Sequence, residues 1–454
     1  MPIVHIRLYT LKIIVANKQL ITGIFVSLLL VITPVVIISL NKEAKVVSNK
    51  NQTSTKSNEQ SSATSDSKTP TNTSNSKPAP SSTKPTSNTP KPSTAANVAP
   101  STAPTVPSSS LSVKVSGNHL VDANGAVVRL LGVNRSGTQY ACIEGWGFFD
   151  GPTDATALSK IKAWGINAVR VSLNEHCWLG INGVSATYSG TNYQTAIKDY
   201  VTRLNAAGLR VILDLHWNAP GTLQALDQQP MADRDHAPAF WQGVASAFKS
   251  NLSVVFDLYN EPYPDSNRNT TAAWTCVKLG GTCPGVTFVA AGSQELTNAI
   301  RSTGATNVIM VGGPQYAGDV DQWTAYKPSD PLSQLAASIH IYYNTPASPE
   351  WAPCYLLSCW NNTMAPLATT TPIVIGEVGE HDCAFGLISG TSLSPTQPSL
   401  LDWADQHGIS YLGWSWIANN GVNCAAEPSL VMDYNGTPTA YGIGLRDHLL
   451  ALPH

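Results

Sequence analysis

The chain has 454 residues, of which 12% are charged, and its formal net charge is −2. The charge is unevenly divided, because residues 1–110 hold 11 Lys or Arg against 3 Asp or Glu, whereas the remainder holds 16 against 26. An acidic C-terminal part repels polynucleotides, so the composition argues against a nucleic-acid partner but not against a neutral polysaccharide.

The first predicted element is an apolar stretch at residues 20–40 that contains no charged residue. Its 21 residues match the roughly 20 that span a bilayer and exceed the apolar core of about 7–15 residues in a cleavable signal. No small-x-small cleavage site follows it, so the sequence favours an uncleaved membrane anchor over a cleaved signal. Residues 1–19 would then form a short cytoplasmic N-terminus.

Residues 41–110 are predicted to be a disordered Ser/Thr/Pro-rich linker. Within residues 51–110, 37 of the 60 residues are Ser, Thr or Pro, and the only large aliphatic residues are Val98 and Val106. Such a segment cannot bury enough apolar surface to fold. Its place between an apolar span and a globular part indicates a tether.

All the cysteines lie after residue 110, and there are eight of them. An even number in one domain is typical of disulfides in an oxidising compartment, and no C-x₂-C spacing indicates a zinc site. The spacing favours the pairs Cys276–Cys283, Cys354–Cys359, Cys142–Cys177 and Cys383–Cys424, although sequence alone leaves the connectivity open. We therefore expect the C-terminal part to be extracellular, either anchored or secreted.

From residue 111 to residue 454 the sequence predicts one α/β domain. A hairpin that turns at Asn124-Gly125 comes first, and strand-like runs then alternate with helical segments such as Asp154–Trp164, Tyr193–Ala207, Ala237–Ser250 and Ser293–Ser302. The predicted strands are Val128–Asn134, Ala168–Asn174, Arg210–Trp217, Ser253–Asn260, Asn307–Gly312, Ala337–Tyr343, Pro372–Glu377 and Tyr411–Ile417. Eight such units predict a (β/α)8 TIM barrel.

An open doubly wound sheet is the alternative fold. That fold has a glycine-rich phosphate-binding turn after its first strand. The residues at that place are Leu131-Gly-Val-Asn-Arg135, which do not form such a turn, so the barrel is favoured.

Two glutamates follow predicted strands directly. Glu261, in the sequence Asn260-Glu-Pro, follows the apolar run Val254–Tyr259. Glu377 comes directly after the run Pro372–Gly376. The carboxyl ends of barrel strands are where barrel enzymes place their catalytic residues. Two carboxylates at that end supply the proton donor and the nucleophile of a glycosidase, which lie about 5–5.5 Å apart in a retaining enzyme.

Other polar and aromatic residues are predicted at the same end of the barrel. Arg170 lies inside an apolar strand, where a charge is costly unless a carboxylate pairs with it. His216 and His340 fall at predicted strand ends. Tryptophans at the mouth would stack on sugar rings, and the candidates are Trp178, Trp217, Trp323, Trp351, Trp360, Trp414 and Trp416, of which Trp416 and Trp323 are also candidates for the core.

This ordered set of residues resembles glycoside hydrolase family 5, the cellulase-type barrel enzymes. The resemblance covers residues from about 111 to about 450 and is carried by Arg170, His216, Asn260-Glu261-Pro262, His340-x-Tyr342, Gly376-Glu377 and Trp414. It implies a TIM barrel that hydrolyses β-glycosidic bonds by double displacement.

The resemblance also implies a role for each matching residue. Glu261 would be the general acid/base and Glu377 the nucleophile, Asn260 would bind the sugar 2-hydroxyl, and Tyr342 would contact the nucleophile. Arg170, His216 and His340 would support the two carboxylates, and Trp414 would form the floor of the sugar site. We expect Arg170 and Tyr342 to lower the pKa of Glu377, and the closeness of two carboxylates to raise that of Glu261.

Two departures from the family pattern leave the substrate open. Val378 follows Glu377 where an aromatic residue is common in the family, and the cysteine-bearing loops match no particular subfamily. We expect an endo-β-1,4-glucanase acting on a β-glucan; the alternatives are a β-mannanase or other β-glycanase of the same fold, and a non-catalytic surface carbohydrate-binding protein. We further expect a monomer with no cofactor, no metal and no nucleic-acid partner, held at the membrane by its N-terminal segment.

Overall fold

The structure is a computed structural model that describes residues 108–343, 354–380, 398–418 and 428–453. The predicted membrane segment at residues 20–40 and almost all of the predicted linker at residues 41–110 lie outside these ranges. Among the helices in the described ranges, none has the length and apolar character needed to cross a bilayer.

Eight parallel strands close into a barrel, and each strand pairs with the next along the chain until the eighth pairs with the first. The barrel strands, here numbered β1 to β8, are Leu131–Arg135, Ala168–Asn174, Arg210–Trp217, Val254–Asp257, Ile309–Gly312, Leu335–Tyr343, Ile373–Glu380 and Ser410–Gly413. The prediction of an eight-stranded α/β barrel is thus confirmed. Such strands are buried on both faces, which explains why their sequences read as nearly continuous apolar runs.

Helices follow most of the strands. They are Ala155–Lys162, Glu175–Leu179, Thr191–Ala206, Ala237–Phe248, Thr271–Leu279, Ser293–Ser302, Trp323–Tyr326, Leu357–Cys359, Ala365–Ala368, Leu400–Gln406 and Ala440–Ala451, with short helical turns at Ser108–Leu111, Pro264–Asn267 and Trp360–Met364. Several begin where the sequence places a capping residue. The side chains of Asp154, Ser399 and Thr439 each accept a hydrogen bond from the first-turn backbone of their helix.

The predicted bounds of β2 and β3 are correct, but those of β7 and β8 are wrong. β7 does not end at Glu377; it continues to Glu380, because its pairing with β6 resumes after a one-residue shift, with His340 opposite Glu377 and Tyr343 opposite Glu380. β8 stops at Gly413, where its pairing with β1 ends. Glu377 therefore lies inside a strand.

A small antiparallel sheet closes the amino end of the barrel. Its strands are Lys114–Ser116, His119–Val121 and Val127–Val128, so the segment makes two turns and not the single predicted one. Leu120 packs against residues near the starts of the barrel strands, among them Val255, Met310 and Val374. The opposite end of the barrel, where the strands have their carboxyl ends, holds the candidate site described below. A second small sheet, Gly280–Thr282 with Val289–Ala291, lies in the connection between β4 and β5.

Three of the four predicted disulfides are confirmed. Cys142 pairs with Cys177, Cys276 with Cys283, and Cys354 with Cys359. The other two cysteines, Cys383 and Cys424, lie outside the described residues. The Cys142–Cys177 bond joins the connection after β1 to the helix that follows β2, and both of its cysteines are fully buried.

Candidate active site

Arg170, in the middle of β2, organises the carboxyl end of the barrel. Its guanidinium is completely buried and lies 3.1 Å from Asp214, 3.0 Å from Asp257 and 2.6 Å from Glu377. Burial alone would lower the pKa of Arg170, but these three carboxylates raise it above its ordinary value. The guanidinium also donates hydrogen bonds to Asn134 and Asn260 at 3.0 Å. The predicted pairing of this arginine with barrel carboxylates is thus confirmed.

Glu377 is buried and held at both of its carboxylate oxygens. Arg170 donates to Oε1 at 2.6 Å and the Tyr342 hydroxyl donates to Oε2 at 2.6 Å. Burial and the neighbouring Glu377 carboxylate raise the pKa of Tyr342 well above its ordinary value, so Tyr342 remains a donor. These two donors leave Glu377 with a fixed position and a fixed rotamer.

Glu261 lies four residues beyond the end of β4, with 16% of its side chain exposed. Burial raises its pKa to about 7, although His216, Gln228 and Arg170 lower it. The expected cause was the closeness of the second glutamate; the structure instead gives desolvation as the main cause. Near neutral pH the protonated and the ionised forms of this carboxyl group are therefore both populated.

His340 lies between the two glutamates. Its Nδ1 is 2.9 Å from Glu261 Oε1 and 3.5 Å from Glu377 Oε2. Burial lowers the pKa of His340 to about 4, so the imidazole is neutral at working pH. A carboxylate oxygen of Glu261, a ring nitrogen of His340 and a carboxylate oxygen of Glu377 lie within 4.8 Å of one another.

These three side chains have the chemistry of metal ligands, and no other cluster of three such groups occurs among the described residues. Glu377, however, already accepts hydrogen bonds from Arg170 and Tyr342. A guanidinium 2.6 Å from the carboxylate repels a second cation. The arrangement therefore suits a pair of working carboxyl groups better than a metal centre.

His216 and Trp414 form a stacked pair at the mouth. The ring centroids are 5.3 Å apart and the ring planes differ by 5°. The Nδ1 atom of His216 is 2.8 Å from Asp214 Oδ2, and Asp214 pairs with Arg170. His216 is thus bonded to the network through Asp214, and its charge interaction lowers the pKa of Glu261.

Asn260 is buried beside Glu261. Its Oδ1 accepts a hydrogen bond from Arg170 at 3.0 Å, while its Nδ2 has only a long contact of 3.5 Å with Gln228 Oε1. This orientation fixes the amide and leaves its N–H group available to a ligand.

The tryptophans divide between the mouth and the core. Trp217 and Trp414 are partly exposed, whereas Trp178, Trp323, Trp360 and Trp416 are buried. The prediction of a mouth position is therefore wrong for Trp178 and Trp360, and the core position given as the alternative for Trp323 and Trp416 is confirmed. The indole N–H groups of Trp323 and Trp360 donate to backbone carbonyls of Val311 and Cys354, so these rings satisfy their polar atoms without solvent. Trp351 lies outside the described residues.

Four residues of this network were not singled out from the sequence: Asn134, Asp214, Asp257 and Gln228. Asp214 and Asp257 had a visible signal, because each is an acidic residue inside an apolar strand, where a charge needs a partner. Gln228 had none. It lies in the connection after β3, and its Nε2 donates to the Glu261 carbonyl at 2.9 Å and to Glu261 Oε2 at 3.2 Å.

The chain is similar in sequence to known proteins. The family model for cellulase (glycosyl hydrolase family 5) matches residues 121–420. A protein named β-mannanase/endoglucanase A from Caldicellulosiruptor saccharolyticus is 25% identical over 279 residues, which are 58% of this chain but 17% of that protein. A mannan endo-1,4-β-mannosidase from Streptomyces lividans is 25% identical over 321 residues, which are 68% of this chain and 67% of the relative.

The fold also has solved counterparts. The structure of a hyperthermophilic endocellulase from the archaeon Pyrococcus horikoshii superposes with a TM-score of 0.54 at 20% identity, covering 75% of this chain and 99% of that chain. This likeness concerns the barrel fold.

The first prediction concerns Gln228 and the ionisation of Glu261. Gln228→Ala removes a donor that favours the charged carboxylate, so we expect the pKa of Glu261 to rise above its native value of about 7. The measurement is an NMR titration of the side-chain carboxyl carbon in protein labelled at glutamate. Gln224→Ala is the matched control, since Gln224 is an exposed residue of the same connection that bonds to Asn182 instead. An unchanged or lowered pKa in the Gln228 variant contradicts the role given to Gln228.

Proposed function

Since the chain belongs to glycosyl hydrolase family 5, we propose that it is a retaining endo-β-1,4-glucanase that works by double displacement. The observation that carries the proposal is the pair of glutamates, whose facing oxygens lie within 4.8 Å of each other beside His340. A separation of about 5–5.5 Å between carboxyl groups is typical of retaining glycosidases, whereas inverting enzymes need about 6.5–9.5 Å to admit a water molecule.

In the first step Glu261 acts as the acid and Glu377 as the nucleophile. The Glu377 carboxylate attacks the anomeric carbon, the bond from that carbon to the glycosidic oxygen breaks, and the Glu261 proton moves to the leaving oxygen. This assignment is supported by the raised pKa of Glu261, about 7, and by the hydrogen bonds that Glu377 accepts from Arg170 and Tyr342. A glycosyl ester on Glu377 results.

In the second step Glu261 acts as the base. It takes a proton from water, the water oxygen attacks the anomeric carbon, and the bond to Glu377 breaks, so the carboxylate is restored. Neutral His340 suits both states of Glu261, because its Nδ1 lies 2.9 Å from Oε1. As an N–H group it donates a hydrogen bond to the ionised carboxylate, and in the other tautomer it accepts one from the protonated carboxyl group. Asn260 would bind the sugar 2-hydroxyl through its Nδ2, whose contact with Gln228 Oε1 is long at 3.5 Å, and Trp414 would lie under the ring.

The second prediction separates the two glutamates. We expect Glu377→Ala to abolish turnover of every substrate. Glu261→Ala should lower kcat on polysaccharide by about 10²- to 10⁴-fold, the usual share of a general acid, yet cleave a substrate whose leaving group needs no proton. With that variant and added azide, azide attacks the glycosyl ester and a β-glycosyl azide forms, which NMR of the product identifies.

Glu295→Ala serves as the matched control for these variants. Glu295 is a partly exposed carboxylate that pairs with Arg234, so its removal should leave turnover unchanged. Near-native hydrolysis of polysaccharide by both active-site variants refutes the assignment.

The third prediction concerns the substrate. We expect hydrolysis of carboxymethylcellulose and barley β-glucan with retained configuration, read from the first anomer in proton NMR. Partly exposed Trp217 and Trp414 support a β-1,4-glucan, whose equatorial sugars present flat apolar faces. A β-mannanase is the second candidate, because the relatives include a mannan endo-1,4-β-mannosidase. If the protein hydrolyses mannan but no β-glucan, the proposed substrate changes to mannan and the proposed mechanism stays. Glu377→Ala protein serves as the control for contaminating enzymes.

The fourth prediction concerns location. We propose that the catalytic domain acts outside the cell and is held there by residues 20–40 through the linker. The three disulfides of the described residues support an oxidising compartment. We expect the full chain in the membrane fraction and a chain that begins at residue 41 to lose this association. Protease added to intact cells should release the domain; protection from protease speaks against the proposal.

A further inference from the structure

Three consecutive residues in the connection after β5 have a left-handed backbone. The φ angles of Gln315, Tyr316 and Ala317 are 60°, 58° and 56°. Residues other than glycine rarely adopt such angles, because the Cβ atom then crowds a backbone carbonyl, so a run of three is strained. Backbone strain of this kind persists only where the surrounding structure enforces it, often at a functional site. We call residues 315–317 the left-handed turn.

The left-handed turn is bonded to two neighbours of the proposed acid. The Tyr316 N–H donates at 3.0 Å to the carbonyl of Pro262, the residue directly after Glu261, and the backbone N–H of His340 donates at 3.0 Å to the Ala317 carbonyl. The His340 ring lies 2.9 Å from Glu261, measured from Nδ1 to Oε1. Adjacent residues of one turn thus hold the backbone beside Glu261 and the histidine that contacts its carboxyl group.

Close packing holds the turn in this conformation. Ala317 is fully buried, and a Cβ atom added to Gly312 would lie 3.2 Å from the Ala317 Cβ, so the glycine makes room for this alanine. The Tyr316 ring packs against that of Tyr263, with 4.6 Å between the centroids. If Ala317 took a right-handed or extended backbone, its carbonyl would point away from His340 and their hydrogen bond would break.

We propose that the left-handed turn positions Glu261 against His340, so that its carboxyl group faces the leaving oxygen in the first step and water in the second; this rests on the proposed function. Tyr316 and Ala317 act through their backbone groups and are positioning residues. The strained conformation brings an N–H group to Pro262 and the next carbonyl to His340 at the same time.

The test compares glycine and valine at one position in the full-length protein. Glycine adopts a left-handed backbone without strain, whereas a β-branched residue there is an outlier, and valine also adds two methyl groups to a filled space. We therefore expect Ala317→Gly to remain near native. Ala317→Val should lower kcat on polysaccharide about 10- to 100-fold, because a misplacement of about 1 Å can cost about 10²-fold.

A second substrate separates positioning of the acid from general damage to the site. The leaving group of a dinitrophenyl glycoside needs no proton, so its burst of dinitrophenolate reports attack by Glu377 without help from the acid. Ala317→Val should leave that burst rate unchanged, whereas a merely structural role would lower both rates together. Equal losses on the two substrates, or no loss on polysaccharide, overturn the proposal.

Ser333→Val is the matched control. Ser333 also has a left-handed backbone, with a φ of 53°, but it is exposed in the turn before β6, at the amino end of the barrel. Its replacement imposes the same strain away from the site and should change neither rate. If Ala317→Val protein shows no cooperative melting, Tyr316→Val and Tyr316→Gly decide, since both lose the ring and only valine strains the backbone. Equal kcat of those two variants on polysaccharide then contradicts the proposal.

Failure of the proposed function is a separate outcome. If the native protein cleaves neither glucan nor mannan, an NMR titration of the Glu261 carboxyl group decides the positioning. Burial is the main cause that raises its pKa to about 7, so a turn opened by Ala317→Val should admit water and lower that pKa, while Ala317→Gly should leave it unchanged. An unchanged pKa in the valine variant contradicts the positioning.

Discussion

The buried guanidinium of Arg170 is the interaction on which the rest of the site depends. A charge without solvent is costly, and this one is compensated by three carboxylates within 3.1 Å and by two amide oxygens. One cation cannot hold three ionised acids in a dry interior without cost. This cost falls on Asp257: burial raises its pKa to about 7, although Arg170 beside it lowers that pKa. Removal of Arg170 would leave a cluster of uncompensated acids.

The two glutamates differ because of where they lie relative to that cation. Glu377 touches the guanidinium at 2.6 Å and accepts a second hydrogen bond from Tyr342. Glu261 makes no hydrogen bond to Arg170; its partners are neutral His340 and Gln228, and desolvation raises its pKa to about 7. In the mechanism proposed above, this difference in surroundings suits Glu261 to the role of the acid and Glu377 to that of the nucleophile.

The sequence predicted the barrel and the central residues because both depend on short-range signals. Apolar runs mark strands, and a charge in such a run, as at Arg170, marks a buried pair. The limits of β7 depend on a register shift against β6 that no local pattern encodes. Trp178 and Trp360 look the same in sequence as Trp217, since packing alone decides whether an indole faces the core or the mouth. Gln228 reaches Glu261 only through the path of a connection after β3.

The barrel strands and the connections between them contribute different residues to the site. Strands β2, β3, β4, β6 and β7 hold the buried charge network around Arg170. Tyr140 and Trp146 lie on the connection after β1, where they donate hydrogen bonds to Asp150 and Glu144, and a disulfide joins that connection to the helix after β2. The residues that fix the position of the two glutamates thus lie mostly inside strands, whereas Gln228, which bonds to Glu261, lies on a connection.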